Sequence, residues 1–286
     1  VPPTLPRRSL FGFNFVDTDG FDVLVDALLD RTGADPTIAD PLPIVVTPNV
    51  DLLVHLDRRD SPRAAALVDR AAYVLADGQP IVWASRLLRS PLQQRLAGST
   101  LTALLWPRLV KERRSVLVIA ASATLAEQVR ADYPKARVVV PPVFAADDQR
   151  AIEAIAAECV EVCAGEPPEF VFVGLSYPKQ YVVLDELLTT WPGEQTPGLF
   201  LAVGASLEMY YGLRPRAPEW VQRIGLEWFH RFLLEPRRLF RRYFIDDVAF
   251  VRIVWREHRT RCRRLAGELP VHKPAPGTGA GDSKAA

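Results

Sequence analysis

The chain has 286 residues, of which 49% are apolar and 24% charged, with a formal net charge of +1: an ordinary globular composition with enough chain for one sizeable core plus an appendage. No apolar run approaches the roughly 18 residues that span a bilayer, so any membrane association is expected to be peripheral. Cys159, Cys163 and Cys262 are too few and too badly spaced for a zinc site or a disulfide framework.

The amino terminus lacks a basic-then-apolar signal pattern, and with the free cysteines this points to a reducing cytoplasm. In chain order, Val1 to Arg8 is proline-rich and reads as unpaired. Phe21 to Arg31 has helical spacing, and Pro36 to Pro43 reads as a linker. Ile44 to Val46 is a short β-branched run that stops at Thr47-Pro48-Asn49, before a helix over Val50 to Leu56. A second helix is expected over Ala64 to Ala72, then a buried strand over Tyr73 to Ala76 that stops at Asp77-Gly78. A helix over Ile81 to Leu88 and a turn at Gln94 to Ser99 follow. Ser115 to Ala120 is the clearest strand, with a helix after it through Tyr133. Arg137 to Val140 predicts a strand and Asp147 to Cys163 a helix that buries Cys159 and Cys163 on one face. Phe170 to Val173 is a strand running into Gly174 to Gln180, and Leu199 to Val203 is one more.

Strands alternating with long helices imply an α/β fold with a mostly parallel, Rossmann-like sheet and flanking helices. From Leu207 the pattern turns helical, which divides the chain into a core over 1–206, an arginine-rich helical appendage over 207–264 and a disordered tail over 265–286. Ligands of such sheets sit beyond the carboxyl ends of strands, where Thr47/Asn49, Asp77/Gly78 and Gly174 to Gln180 all fall.

Charge is segregated. Leu213 to Arg264 holds fourteen arginines and six acids, a net of +8, and leaves residues 1 to 212 at −7. Between Arg216 and Phe244 the arginines alternate with Trp and Phe and no lysine occurs. Arginine grips phosphate bidentately, and Arg beside Trp and Phe suits a surface where headgroups meet an apolar layer. The partner this points to is anionic, phosphorylated and lipid-linked; a solvated helical pair is the bland alternative.

Asp77 on a strand-end loop, with Gly78 allowing close approach, fits a general base or the cap of the helix that follows. Thr47 and Asn49 fit a sugar or a helix cap, with the cap favoured. Gln180 reads either as a sugar-reading amide or as a surface residue at a helix start. Arg95 near Gly98 reads as a phosphate ligand or an exposed turn residue. Asp17-Thr18-Asp19 precedes a helix and reads as a turn and helix cap rather than a metal site. Neither a phosphate-binding glycine motif nor histidines at ligand spacing are found, so neither cofactor nor metal is expected.

In order, TPNVDLLV from Thr47, LADGQPIVWASRLL from Leu75, QRLAGST from Gln94, FVGLSYPKQ from Phe172 and RAPEW…GLEWFHRFLLEPRRLFRRY from Arg216 resemble the WecG/TagA/CpsF family of bacterial glycosyltransferases. The resemblance implies an inverting, metal-independent transfer from a UDP-sugar to a polyprenyl-diphosphate-linked saccharide, for cell-surface polysaccharide, at the cytoplasmic face of the membrane. It implies a hexosyl- or N-acetylhexosaminyl-type transferase with Asp77 as base and Thr47, Asn49, Gly78, Arg95, Gly98 and Gln180 as substrate ligands. The lipid diphosphate falls to Arg216, Arg231, Arg238 and Arg241. The partners implied are donor, acceptor and an anionic membrane surface, with no nucleic acid and with room for a homo-oligomer. Three departures stand out: Thr100 and Tyr181 replace usual acids, and Ala121-Ser122-Ala123-Thr124 replaces a glycine-bearing loop. They admit an alternative, a catalytically weakened relative that binds the lipid-diphosphate sugar without transfer.

Overall fold

A computed structural model describes residues 5–164, 166–191, 197–215, 218, 221 and 248–265. Eight strands form one sheet: β1 (Arg7–Leu10), β2 (Phe13–Val16), β3 (Leu42–Val46), β4 (Ala71–Val74), β5 (Val116–Ile119), β6 (Arg137–Val139), β7 (Phe170–Val173) and β8 (Leu199–Ala202). Their spatial order is β1-β2-β4-β3-β8-β7-β5-β6, with every pairing parallel except the β1–β2 hairpin. The α/β reading holds.

Central strands are buried on both faces, as a sheet covered by helices on two sides requires. Along β7, Phe170 and Phe172 enter one core while Val171 and Val173 enter the other. The first core packs under α2 (Val50–Arg58), α3 (Pro62–Asp69), α4 (Gln79–Leu87), α7 (Gln149–Val162) and α8 (Lys179–Thr190). The second packs under α1 (Phe21–Leu29), α5 (Gly98–Glu112), α6 (Ala123–Asp132) and α9 (Ser206–Tyr210). A last helix, α10 (Val248–Leu265), returns to the first face and buries Phe250 and Ile253 there.

Three expectations are corrected. Arg7 and Arg8 are not unpaired: they begin β1, and Phe11 (φ 55) and Gly12 (φ 86) make the turn into β2. Two successive left-handed residues suit a tight hairpin, and a Phe in that conformation gives no sequence signal for one. Arg7 Nη2 reaches the Gly33 and Ala72 carbonyl oxygens at 2.7 and 2.8 Å, which ties the hairpin to the core, and burial pulls its guanidinium pKa down. The helix expected through Ala72 ends at Asp69, because Ala71 and Ala72 belong to β4, where Ala71 pairs with Leu42. The turn expected at Gln94 to Ser99 ends at Ala97, because Gly98 and Ser99 already begin α5, whose Gly98, two threonines and interior Pro107 mask a buried stripe of Leu101, Leu105, Trp106 and Leu109. Cys159 and Cys163 share a buried face as expected, and burial raises both thiol pKa values.

Candidate active site

The site is built where β3 and β4 end side by side. Their pairing continues past the strands: Leu75 N donates to Val46 O at 2.9 Å and Asp77 N to Pro48 O at 3.0 Å. Asp77 is thereby held level with the Thr47-Pro48-Asn49 turn. Leu96 N donates to Ala76 O at 2.9 Å, which lays the Gln94 to Gly98 segment along the same edge. Gly98 N then donates to Asp77 Oδ2 at 3.1 Å. Asp77 does not cap α4, whose N-cap is Gly78 and carries no side-chain cap bond. Its carboxylate sits instead at the amino terminus of α5, the next helix but one to form a buried stripe.

Thr47, Asn49, Gly78 and Gly98 close around it. A Cβ on Gly98 would lie 3.1 Å from Thr47 Oγ1, so a side chain there would crowd the threonine. A Cβ on Gly78 would lie 3.8 Å from Asn49 Cα, an ordinary contact. Asn49 Oδ1 accepts Leu52 N–H at 2.9 Å and caps α2, as its spacing suggested. Arg95 is half-buried three residues before Gly98.

A second group stands at the ends of β7 and β8. A Cβ on Gly174 would come 2.8 Å from Ile119 O, which makes glycine obligatory where β7 meets β5. Gln180, in the first turn of α8, is 7% exposed and so is not the surface residue its position allowed. Its Oε1 has no hydrogen-bond partner and faces Gly204, whose φ of +54° is left-handed. Buried amide oxygens seldom stay unpaired, so the atom is suited to a donor brought by a ligand. Tyr181 beside it is wholly buried; burial raises its pKa, so a neutral phenol stands in this position. Tyr177 meets Tyr181 edge-on at 6.0 Å and stacks on His55 of α2 at 4.6 Å. That stack joins the helix capped by Asn49 to the loop that leads into Gln180. No spacing rule reveals it, because the two segments are far apart in sequence.

Three helices, α2, α4 and α5, start at this edge: Asn49 caps the first, the Asp77 carboxylate takes the first N–H of the third, and α4 has no side-chain cap. The open amino end of α4 presents partial positive charge to whatever binds there. The Ala121 to Thr124 loop carries no positive φ, and Ser122 Oγ caps α6 by accepting Leu125 N–H at 3.3 Å, so its non-glycine residues are unstrained.

Asp17-Thr18-Asp19 forms the expected turn, with Thr18 Oγ1 accepting Gly20 N–H at 3.4 Å, but not the cap. Buried Asp17 bonds Arg8 Nε at 2.9 Å and Gln93 N at 2.8 Å instead, pinning the segment that leads to Arg95. Among the described residues no three His, Cys, Asp or Glu side chains are grouped to hold a metal ion. Nor is any helix there long and apolar enough to cross a membrane. Arg216, Arg231, Arg238 and Arg241 lie outside the described residues.

Comparison with known proteins places this geometry in context. A profile of the Glycosyl transferase WecG/TagA/CpsF family matches residues 8–264. The chain is 31% identical over 198 residues to an N-acetylglucosaminyldiphosphoundecaprenol N-acetyl-beta-D-mannosaminyltransferase of Bacillus spizizenii, covering 68% of this chain and 72% of that protein. It is 26% identical over 173 residues to a Staphylococcus aureus protein of the same name, covering 60% of this chain and 65% of the relative.

Proposed function

The chain belongs to the WecG/TagA/CpsF family of glycosyltransferases, and on that premise we propose that it moves a sugar from a UDP-sugar to a polyprenyl-diphosphate-linked saccharide, with inversion and without a metal. The observation that carries this reading is the position of Asp77, a carboxylate held by backbone at the meeting of two strand ends and one helix start.

In the proposed step, the Asp77 carboxylate takes the proton of the acceptor hydroxyl as that oxygen bonds to the anomeric carbon. The bond from that carbon to the diphosphate breaks, and its electron pair leaves with UDP on the opposite face. The amino end of α4 and the guanidinium of Arg95 meet the departing charge, the task a metal performs elsewhere. Thr47, Asn49 and Gln180 orient the sugars, with Gln180 Oε1 accepting from a ligand hydroxyl or amide N–H. The relatives' names supply the first acceptor and sugar to try: diphosphoundecaprenol-linked N-acetylglucosamine and N-acetylmannosamine.

The reading includes peripheral attachment to the cytoplasmic membrane face through an appendage over 207–264, whose Arg216, Arg231, Arg238 and Arg241 hold the lipid diphosphate. Its test is a panel of UDP-sugars incubated with that acceptor and followed by UDP release and product mass. A β-linked product from an α-linked donor, formed with chelator present, is the expected result. Acceptor binding without turnover for any donor would favour the binding-only relative.

A further inference from the structure

We propose that helix α4 is a bilayer-docking element of the core itself, contacting anionic lipid through Trp83, Leu87, Arg86 and Arg89; the inference rests on the acceptor being lipid-linked. Helix α4 starts directly after Asp77 and buries Ile81, Ala84 and Leu88. On its outer side Trp83 is 45% exposed and Leu87, one turn on, is 69% exposed. Arg86 on the helix and Arg89, two residues past its end, flank them in the open. Trp, Leu and Arg on one face of a short helix match the layered chemistry of a bilayer interface.

The local charge agrees. From Gly78 to Ala97, the stretch that carries α4, the chain has no acidic residue but has Arg86, Arg89 and Arg95, although residues 1 to 212 together are acidic at −7. Helix α10 repeats the pattern: Val251 is 66% exposed, Trp255 is 59% exposed, and the Arg259 guanidinium lies 4.5 Å over the Trp255 ring. Both helices bury their inner sides in the same core cluster, so their outer faces look out from one side of the sheet. A second copy of the chain is a poorer occupant, because twofold contact through α4 would set Arg86 and Arg89 against themselves with no acid on the helix to pair them. Trp83 follows Gly78 by five residues, about 8 Å along the helix axis at ~1.5 Å per residue, so docking here keeps Asp77 close to the headgroup layer where the acceptor diphosphate lies.

The test uses the full chain and vesicles of phosphatidylcholine with or without phosphatidylglycerol, with binding read by flotation. Parent protein should float with the anionic vesicles and be released by salt, as screened attraction requires. Trp83→Ser with Leu87→Ser should lower partition roughly tenfold, and Arg86→Glu or Arg89→Glu about fivefold each. Thermal midpoints should match the parent, and Val23→Ser, an exposed apolar change on α1, should leave binding alone. Parent-like partition of the α4 variants would overturn the proposal, as would equal loss with Val23→Ser, no vesicle binding by the parent, or a change of oligomeric state in the variants instead. Absence of sugar transfer alongside α4-dependent flotation would overturn the function proposed above and leave the docking assignment standing.

Discussion

Asp77 is fixed by backbone on both sides, its own N–H given to Pro48 O and its carboxylate taking Gly98 N–H. Asparagine can keep both bonds but cannot take a proton. Asp77→Asn should therefore leave the thermal midpoint within a degree or so and lower kcat by about 10²- to 10⁴-fold, the usual worth of a positioned base. A wild-type rate would remove Asp77 from that role. Asn49 has two candidate duties that substitution can separate. Asn49→Ala should cost about 1 kcal/mol in denaturant melts through the lost cap on α2. Aspartate also caps well, so Asn49→Asp should restore stability, while its added charge beside a diphosphate site should still raise the donor KM. Full activity in a stable Asn49→Asp would leave the residue as a cap alone.

At the scale of elements, what decides the site is where helices begin. Asp77 meets α5 only because Gln94 to Gly98 runs along Ala76, and that path is held by Asp17 through Gln93. The family-like strings are visible in sequence as separate turns. Their convergence is not, because α5 hides behind residues of poor helix propensity. Packing of Leu101, Leu105 and Trp106 overrides that propensity. The docking of α10 shows the same principle. Phe250 packs edge-on to Phe11 at 5.7 Å, Arg256 pairs with Asp57 of α2, and the Arg261 guanidinium donates to Ser9 O. Removing the ring should cost about 3 kcal/mol at that joint. Phe250→Ala should thus loosen α10 and expose its arginines to trypsin before the core unfolds. Cleavage no faster than in the parent would mean that the Arg256–Asp57 ion pair and the Arg261 hydrogen bond suffice.

For the whole molecule, the decisive property is the separation of an acidic body from a carboxyl-terminal region of net +8. On the anionic surface proposed above, such a charge pattern would orient the chain before any specific contact forms. If Arg231, Arg238 and Arg241 grip the acceptor diphosphate, changing all three to alanine should raise the acceptor KM by tenfold or more while the donor KM stays near that of the parent. Equal loss for both substrates would point to general misfolding or to a shared site.

The α/β order, the strand-end polar turns and the cap at Asn49 could be determined from sequence, because each depends on residues near one another in the chain and on period-two or helical spacing; the family followed from the resemblance of five ordered strings. Tertiary structure alone decided that Asp77 serves α5 rather than α4, that Gln180 is buried with an unpaired oxygen beside Gly204, and that Asp17 braces the site instead of capping a helix. Those outcomes depend on which distant segment arrives at a given strand end. A strand end offers the same carboxylate or amide to any segment, and only packing of the whole sheet and its helices selects the one that comes.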